Sequence, residues 1–399
     1  MQRVSGVPRD YAWGSHTAIH ELMGTEPDGT PLAELWFGAH HSAPAILADG
    51  SDDLRSVIAA DPAGSLGTDV AARFGPQLPY LLKLVAPARP LSLQVHPSLE
   101  RARTRFLAEN RAGIPIDAPH RNYRDANHKP ELVFALTTFE ALCGFRAPRR
   151  AAELLADLDA PLARSLHRML VANPSPVGMR AAFTTLLAER TRPAREEVGH
   201  VVQACAARLE AGSPSPRADA TVVMLARDYP HDPGVVASLL LNPVTLQPGE
   251  SLFVPAGGVH AYLSGLGVEV MASSDNVLRA GLTAKHIDVP EMLDCVDYVA
   301  APPIRVAPEI FHDATRVYYA PVDDFELSIT TLDGGDRRDS SRPLPGRGPR
   351  ILLCLDGELD VSSSADGLRL ARGEAAFVRA DEGPLAIGGV GTLVQADVP

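Results

Sequence analysis

The stretch that most constrains this chain runs from Gly249 to His260 and reads Gly-Glu-Ser-Leu-Phe-Val-Pro-Ala-Gly-Gly-Val-His. It predicts a short strand over residues 251–254, a tight turn over residues 255–258, and a second strand that opens at Val259. The paired glycines permit backbone angles that other residues avoid, so the turn holds His260 at a fixed point. An imidazole there is available to a metal ion. The alternative is that His260 is an ordinary polar residue of a β-hairpin.

The spacing within this stretch resembles the second conserved motif of the cupin superfamily. Gly249, Pro255, Gly257 and His260 occupy the positions of that motif, and Ser264 stands where an asparagine is usual. Cupins are small antiparallel β-barrels, and the resemblance implies that His260 is a metal ligand. The question for the rest of the sequence is whether it completes a ligand set.

Length and charge limit the class of protein. The chain has 399 residues, of which 45% are hydrophobic and 22% charged, as is typical of soluble globular proteins with more than one domain. The net charge of −12 argues against general nucleic-acid or membrane-surface binding but leaves room for a local basic pocket. With no signal peptide and no apolar run of membrane-spanning length, we expect a cytoplasmic protein.

The cysteines argue against two further classes of site. Cys143, Cys205, Cys295 and Cys354 lie far apart and form no CxxC pair. Neither a disulfide framework nor a thiolate metal cluster is therefore expected.

Three regions differ in composition and in the periodicity of their apolar residues. Together they predict a mainly β protein with an α-helical insert. Residues 1–147 and 242–300 read as one discontinuous β domain that contains the stretch leading to His260, and residues 301–399 as a second β domain. Residues 148–241 are rich in Ala, Leu, Arg and Glu with helical periodicity, so they read as the insert.

A weak internal repeat relates the two β regions. Residues 373–379 echo residues 249–255, and in that register Pro384 falls where His260 does. We therefore predict two cupin-type jelly-roll barrels plus a helical domain, with no metal ligands in the C-terminal barrel.

Periodicity and breaker residues predict the individual elements. Helices are predicted over residues 52–75, 98–111, 149–158, 161–172, 178–189, 195–211, 235–241 and 290–298. Strands are predicted over residues 78–86, 91–96, 131–136, 267–275, 325–331, 350–355, 359–363, 368–371, 375–379 and 392–395. Residues 276–285 and 334–348 are predicted as loops, the second of them mobile.

Polar residues on the predicted strands offer candidate metal ligands. Gln94 and His96 lie two apart on one strand face, and Glu131 shares a face with Lys129 at the entry to another strand. Together with His260 they supply two imidazoles, a carboxylate and an amide oxygen, which suit a divalent metal of borderline hardness. Each alone is more simply a strand residue with its hydrogen bonds satisfied, and the sequence does not show that the four converge.

His40 and His41 are adjacent in the sequence and are expected to be poor joint ligands. On a strand, adjacent side chains point to opposite faces, so the two are not expected to act on one partner together. One of them could still line a pocket.

Several long segments resemble the signature sequences of type I mannose-6-phosphate isomerases. They are Tyr11-Ala-Trp-Gly-Ser15, Glu34-Leu-Trp-Phe-Gly38, Gln94-Val-His96-Pro97, Asn127-His-Lys-Pro-Glu131, the turn that leads to His260, and Ser274-Asp-Asn-Val-Leu-Arg-Ala-Gly-Leu-Thr283. The resemblance covers residues 5–298 around the helical insert and extends to the C-terminal domain in kind only. It implies an isomerase that interconverts mannose 6-phosphate and fructose 6-phosphate through a cis-enediol, with one Zn²⁺ per chain. The zinc ligands that it implies are Gln94, His96, Glu131 and His260.

The resemblance also implies roles in the substrate pocket. Arg279 matches the family's catalytic arginine, and Ser92, Lys129 and Lys285 match residues that line the sugar-phosphate pocket. A fixed cation stabilises an enediolate, and lysines bind phosphate as point charges. Glu269 matches a pocket carboxylate and is the first candidate for the base, because burial can raise a carboxyl pKa towards neutrality. A zinc-bound hydroxide is the competing base.

Two other classes of function remain open at this stage. An iron-dependent cupin oxygenase would carry an HxH pair followed closely by a glutamate, whereas Gln94 replaces the first histidine and Glu131 is distant. A non-enzymatic sugar-binding protein would lack metal ligands, which fits the C-terminal domain and not the N-terminal one. The four candidate ligands do not distinguish zinc from manganese or iron.

The resemblance also implies the biological setting. We expect a monomer that acts on a small sugar phosphate in carbohydrate metabolism, for GDP-mannose biosynthesis.

Overall fold

The computed structural model describes residues 1–333 and 341–399. Strands dominate both ends of the chain and helices dominate the middle, which confirms the prediction of a mainly β protein with an inserted helical segment. The predicted loop over residues 334–348 lies partly outside the described residues, so its mobility stays a prediction. Within the described ranges, no helix has the length and apolarity needed to cross a membrane.

The strands are short except near the C-terminus. In chain order they are β1 (Gln2–Ser5), β2 (Val7–Arg9), β3 (Glu34–Gly38), β4 (Ile46–Leu47), β5 (Tyr80–Val85), β6 (Leu93–Val95), β7 (Glu131–Ala135), β8 (Phe139–Phe145), β9 (Leu241–Leu246), β10 (Ser251–Val254), β11 (His260–Ser264), β12 (Gly267–Ala272), β13 (Leu278–Gly281), β14 (Ile304–Arg305), β15 (Glu309–Phe311), β16 (Thr315–Tyr318), β17 (Glu326–Leu332), β18 (Arg342–Pro343), β19 (Arg350–Ser362), β20 (Gly367–Ala371), β21 (Ala375–Val378) and β22 (Ala386–Asp397).

Of the twelve α-helices formed by the described residues, six lie between β8 and β9. The twelve are α1 (Ala18–Met23), α2 (Leu54–Ala60), α3 (Pro62–Leu66), α4 (Thr68–Phe74), α5 (Leu99–Arg111), α6 (Pro148–Ala156), α7 (Pro161–Ala172), α8 (Pro176–Leu187), α9 (Arg195–Glu210), α10 (Pro216–Asp228), α11 (Pro233–Ala237) and α12 (Val289–Cys295). Helices α6, α7, α8 and α10 begin at prolines, and α5 begins directly after Ser98, whose hydroxyl accepts the Arg101 N–H.

Several predicted elements were wrong in extent or type. The helix predicted over residues 52–75 is three helices, because Asp61 caps a new helix at Pro62 and Gly67 takes a φ of 80°. Helix α10 was not predicted, although Ser215-Pro216 is a helix start signal.

Two errors concern strands. The predicted loop over residues 276–285 contains β13, which pairs with β6 at the edge of a sheet. The two strands predicted over residues 350–355 and 359–363 are one strand, β19, whose register shifts between Cys354 and Asp356.

The strands form three antiparallel sheets. A seven-stranded sheet has the order β14-β10-β7-β12-β5-β3-β2, and a five-stranded sheet has the order β13-β6-β11-β8-β9. A ten-stranded sheet holds the C-terminal strands together with β1 and β4 from the beginning of the chain. Among the described residues, these pairings do not close a barrel, and the division of the chain into three units stays a prediction.

Apolar side chains join these layers. Tyr80, Leu82 and Val270 of the seven-stranded sheet share a core with Ile351 and Phe377 of the ten-stranded sheet. The inserted helices pack on the five-stranded sheet, because a second core joins helical residues to side chains of β6, β11 and β13. The inserted helices therefore cover one face of the five-stranded sheet, and its other face packs against the seven-stranded sheet.

Candidate metal centre and cleft

Three predicted ligands, His96, Glu131 and His260, converge between the seven-stranded and five-stranded sheets. His96 Nε2 lies 3.2 Å from Glu131 Oε1, and His260 Nε2 lies 3.3 Å from Glu131 Oε2. The side-chain amide of Gln94 lies 3.2 Å from the same His260 nitrogen. His96, Glu131 and His260 are each 1% exposed or less. The structure therefore brings together all four residues that the resemblance implied as zinc ligands.

Strand register explains the convergence. His260 opens β11 directly opposite Gln94 of β6, and Glu131 opens β7 after Pro130. The turn before His260 forms as predicted, with Gly257 at a φ of 79°. The N–H of Gly257 also donates to the carbonyl of His96 at 2.8 Å, so one turn places both imidazoles.

The hydrogen bonds of the two imidazoles fix their tautomers. His96 Nδ1 donates to the carbonyl of Asn276 at 2.8 Å, and His260 Nδ1 donates to the carbonyl of Gly258 at 3.0 Å. Each Nε2 is then an unprotonated lone pair aimed at the Glu131 carboxylate. His96 Nε2 is buried without a hydrogen-bond partner, and burial lowers the pKa of His96 to about 4. Lone pairs facing a carboxylate repel it unless a cation lies between them, so these residues fit a divalent metal.

Lys129 supplies positive charge beside these ligands. Its Nζ lies 2.9 Å from Glu131 Oε1, and the side chain is buried. Burial alone would raise the pKa of Glu131, but the positive charge of Lys129 opposes it, and the pKa is held well below its ordinary value. Glu131 is therefore an ionised carboxylate, as a metal ligand must be.

The centre opens into a cleft of about 670 Å³. Seven of the predicted site residues line the cleft: Ser92, Gln94, Lys129, Glu131, Glu269, Arg279 and Lys285. The other two, His96 and His260, do not line it but contact Glu131, which does. The structure thus gathers every predicted site residue at one place.

Glu269 of β12 lies in a buried charge group on the cleft wall. Its Oε2 is 3.0 Å from Lys83 Nζ, which also lies 3.8 Å from Glu34. Burial raises the pKa of Glu269 above its ordinary value, although Lys83 opposes the rise. Burial disfavours the charge of Lys83, but Glu269 and Glu34 outweigh it and raise the Lys83 pKa. Sequence reasoning missed Lys83, whose signal was a lone charge in an apolar strand.

A cationic group lies at the other side of the cleft. Arg279, Lys285 and Arg124 line it, and within the described part of the chain none of the three forms an ion pair with a carboxylate. Burial, with repulsion from Arg124, lowers the pKa of Arg279. Burial and then Arg279 lower the pKa of Lys285. Unpaired cations in a cleft form a site for an anion such as phosphate. Arg124 was not predicted as part of this site.

The prediction that His40 and His41 do not share a partner was wrong. Strand β3 ends at Gly38, so the pair lies beyond the strand and both imidazoles approach Asp275, at 3.3 and 3.4 Å. The N–H of Ser42 donates to His40 Nδ1 at 3.3 Å, which leaves the proton on Nε2. His40 therefore donates to the carboxylate of Asp275, unlike the imidazoles at the metal centre.

Together these features define a class: a β protein with a candidate metal site of two imidazoles and a carboxylate, and a group of unpaired cations in the adjoining cleft. Comparison with known proteins narrows this class. Residues 1–148 match the family model "Phosphomannose isomerase type I, catalytic domain". The mannose-6-phosphate isomerase of Escherichia coli (strain K12) is 38% identical over 400 residues, with 99% of each chain covered. Mannose-6-phosphate isomerase 1 of Arabidopsis thaliana is 34% identical, with 96% of this chain and 90% of the relative covered.

A solved structure agrees with the sequence matches. Mannose 6-phosphate isomerase from Salmonella typhimurium, bound to fructose 6-phosphate and zinc, superposes with a TM-score of 0.88 at 38% identity. The match covers 99% of this chain and 98% of that one. The chain belongs to the type I phosphomannose isomerase family.

Proposed function

We propose that this chain is a zinc-dependent isomerase that interconverts mannose 6-phosphate and fructose 6-phosphate. The observation that carries the proposal is the pair of buried imidazole lone pairs that face both oxygens of Glu131 beside an unpaired cationic group. The relatives are mannose-6-phosphate isomerases, and one of them was solved with zinc and fructose 6-phosphate. Gln94, His96, Glu131 and His260 would hold the zinc, which supplies a Lewis acid that polarises a substrate oxygen.

The cations of the cleft would bind and orient the substrate. Lys285 and Arg124 attract the phosphate, and Ser92, which also lines the cleft, donates a hydrogen bond. Arg279 lies closer to the centre, since it pairs with Gln94 across β13 and β6, and it stabilises the enediolate. Lys129 was predicted to bind phosphate, but its contact with Glu131 gives its charge a second use beside the metal ligands.

Glu269 is the proposed base. Its carboxylate takes the proton from C2 of the open-chain aldose, which leaves an enediolate with its negative charge on O1. The hydroxyl proton passes from O2 to O1, and the carboxyl returns its proton to C1 to give the ketose. A raised pKa suits this exchange, because the carboxyl must both accept and release the proton near neutral pH. Lys83 at 3.0 Å would hold the carboxylate in place.

We also propose the finer architecture that the sequence predicts. The seven-stranded and five-stranded sheets would form one cupin-type barrel around the metal centre, and the ten-stranded sheet a second one. The support is an apolar core formed by β7 and β10 of the seven-stranded sheet and β8 and β9 of the five-stranded sheet, through which the two sheets pack face to face.

The test is isomerisation of mannose 6-phosphate before and after chelation, with zinc added back. Activity should be lost on chelation and restored by about one equivalent of zinc per chain, because the ligand set forms one site. The His96→Ala variant should bind less zinc and stay inactive on addition. Full activity in protein shown by elemental analysis to hold no metal would contradict the zinc mechanism. Absence of activity in zinc-loaded protein would contradict the proposed substrate.

A further inference from the structure

Two segments without strand pairing meet behind the metal centre. Residues 124–127 precede β7, and residues 273–277 connect β12 to β13. Sheet hydrogen bonds do not fix either segment internally. Each nevertheless carries groups of the site, because residue 124 is a cleft arginine and the second segment leads to Arg279.

Asn276 connects the second segment to the metal ligands. Its carbonyl accepts the Nδ1–H of His96 at 2.8 Å, and this bond leaves the other ring nitrogen free to bind a metal. The position of that carbonyl therefore sets the direction of the His96 lone pair. Asn276 is 1% exposed, so water does not compete for its hydrogen bonds.

The side chain of Asn276 holds the opposite segment. Its Nδ2 donates to the carbonyls of Asp125 and Asn127, at 2.9 and 2.8 Å. It also donates to Asp125 Oδ1 at 3.1 Å. Its Oδ1 accepts the N–H of Arg124 at 2.8 Å. One amide therefore uses both donor hydrogens and its acceptor on one short segment.

Asp125 returns bonds to the segment of Asn276. Its Oδ1 accepts the hydroxyl of Ser274 at 2.8 Å, and its Oδ2 accepts the N–H of Asp275 at 2.8 Å. The same Oδ1 accepts the N–H of Asn127 at 2.9 Å. We call Asn276, Asp125 and Ser274 the reciprocal clamp, because the side chains of each segment bind the backbone of the other.

We propose that the reciprocal clamp positions the metal ligand His96, and that Asn276 and Asp125 are positioning residues for the metal centre. The inference rests on the proposed metal centre and assigns a role to residues outside its ligand set. The physical reason is that an unpaired segment would otherwise move the Asn276 carbonyl and let the His96 ring turn. The clamp also holds the backbone at Arg124, so it ties the cleft cation to the orientation of His96.

The test measures zinc affinity by competition with a chromophoric chelator on metal-free protein. Asn276→Asp keeps the shape but replaces the donating Nδ2 with an oxygen beside Asp125, so zinc should bind about 10–100-fold more weakly. Ser274→Ala removes one hydroxyl bond to Asp125 and should weaken zinc binding about fivefold. If Asn276→Asp does not fold, the zinc affinity of Ser274→Ala alone tests the role of the clamp.

Asn242→Asp is the matched control. The Nδ2 of Asn242 also donates to backbone carbonyls, those of Phe145 and Ala301 among them, but outside the cleft. This variant should lower the melting temperature and leave zinc affinity within about twofold of wild type, a shift smaller than one hydrogen bond would give. Folded Asn276→Asp and Ser274→Ala variants that bind zinc as wild type does would overturn the clamp, as would an equal loss in Asn242→Asp. A wild-type protein that binds no zinc would overturn the metal centre itself, and the clamp with it.

Discussion

At the scale of single residues, Glu269 and Lys83 face each other across β12 and β5 and carry opposite charges inside the protein. A buried ion pair contributes little net stability, but removing one partner leaves an uncompensated charge. Here Glu34 lies 3.8 Å from Lys83 as a second carboxylate, so the lysine keeps a partner when Glu269 is neutral. This arrangement allows Glu269 to change its protonation state during a reaction without isolating the lysine.

The Glu269→Gln variant tests this role. We expect kcat to fall by about 10²-fold or more, because the amide keeps the shape but does not accept the proton. The raised pKa of Glu269 means that wild-type kcat should decline as the pH drops through that value, at higher pH than an ordinary glutamate would give. The measurement is a steady-state pH–rate profile for mannose 6-phosphate.

Glu140→Gln is the control for Glu269→Gln. Glu140 lies on β8 outside the cleft and forms an ion pair with Arg217 of α10. The Glu140→Gln variant should therefore retain normal kcat. Near-normal kcat in Glu269→Gln would exclude Glu269 as the base.

At the scale of elements, the turn between β10 and β11 fixes the positions of two candidate ligands, His96 and His260. Gly257 takes a φ of 79°, and a Cβ there would lie 3.2 Å from the Asp297 side chain. Its N–H donates to the His96 carbonyl, and β11 begins three residues later at His260. A shift in this turn would therefore move both imidazoles relative to Glu131.

The Gly257→Ala variant should lose both stability and zinc affinity. Left-handed backbone costs an alanine about 1–2 kcal/mol, and the contact with Asp297 pushes the turn away. The measurements are the melting temperature and the zinc dissociation constant.

Gly24→Ala is a matched control for the turn. Gly24 has a φ of 68°, and a Cβ there would meet nothing within 4 Å. The Gly24→Ala variant should lower the melting temperature, because alanine has a similar energetic cost in this left-handed conformation. Its zinc affinity should be unchanged. Equal zinc affinity in both variants would contradict the role of the turn.

At the scale of the whole molecule, the sheet that carries Lys83 and Glu269 packs on the ten-stranded sheet. Tyr80 of β5 is 1% exposed, and its hydroxyl lies 2.9 Å from the carbonyls of both Pro349 and Ala396. The same oxygen accepts the N–H of Ile351 at 3.1 Å. One hydroxyl therefore satisfies backbone groups of two C-terminal strand regions.

The Tyr80→Phe variant should destabilise the protein by about 1–3 kcal/mol, because it leaves buried backbone groups without a partner. We expect a lower melting temperature with an unchanged KM for mannose 6-phosphate, since Tyr80 lies away from the cleft lining. Tyr319→Phe, at a side chain that is 48% exposed, should have little effect on either quantity. An unchanged melting temperature in Tyr80→Phe would contradict this link between the sheets.

Local patterns in the sequence were enough to predict the strand-turn-strand around His260, the mainly β ends of the chain and the helical segment between them. They also offered Gln94, His96, Glu131 and His260 as candidate ligands, and the resemblance to the isomerase family implied that the four form one metal site. Helix α10 was missed and the helix over residues 52–75 was not divided, although Pro216 and Pro62 carried the signals.

The sequence by itself determined which residues were candidates for the metal and substrate sites, because motif spacing, strand alternation and the family resemblance can be read from local segments. Only the tertiary structure decided which distant residues meet. The pairing of β12 with β5 created the Glu269–Lys83 pair, and the fold brought Asn276 to Asp125 and β1 to β21. These contacts depend on strand register and on burial between sheets, and neither is a property of any one segment of the chain.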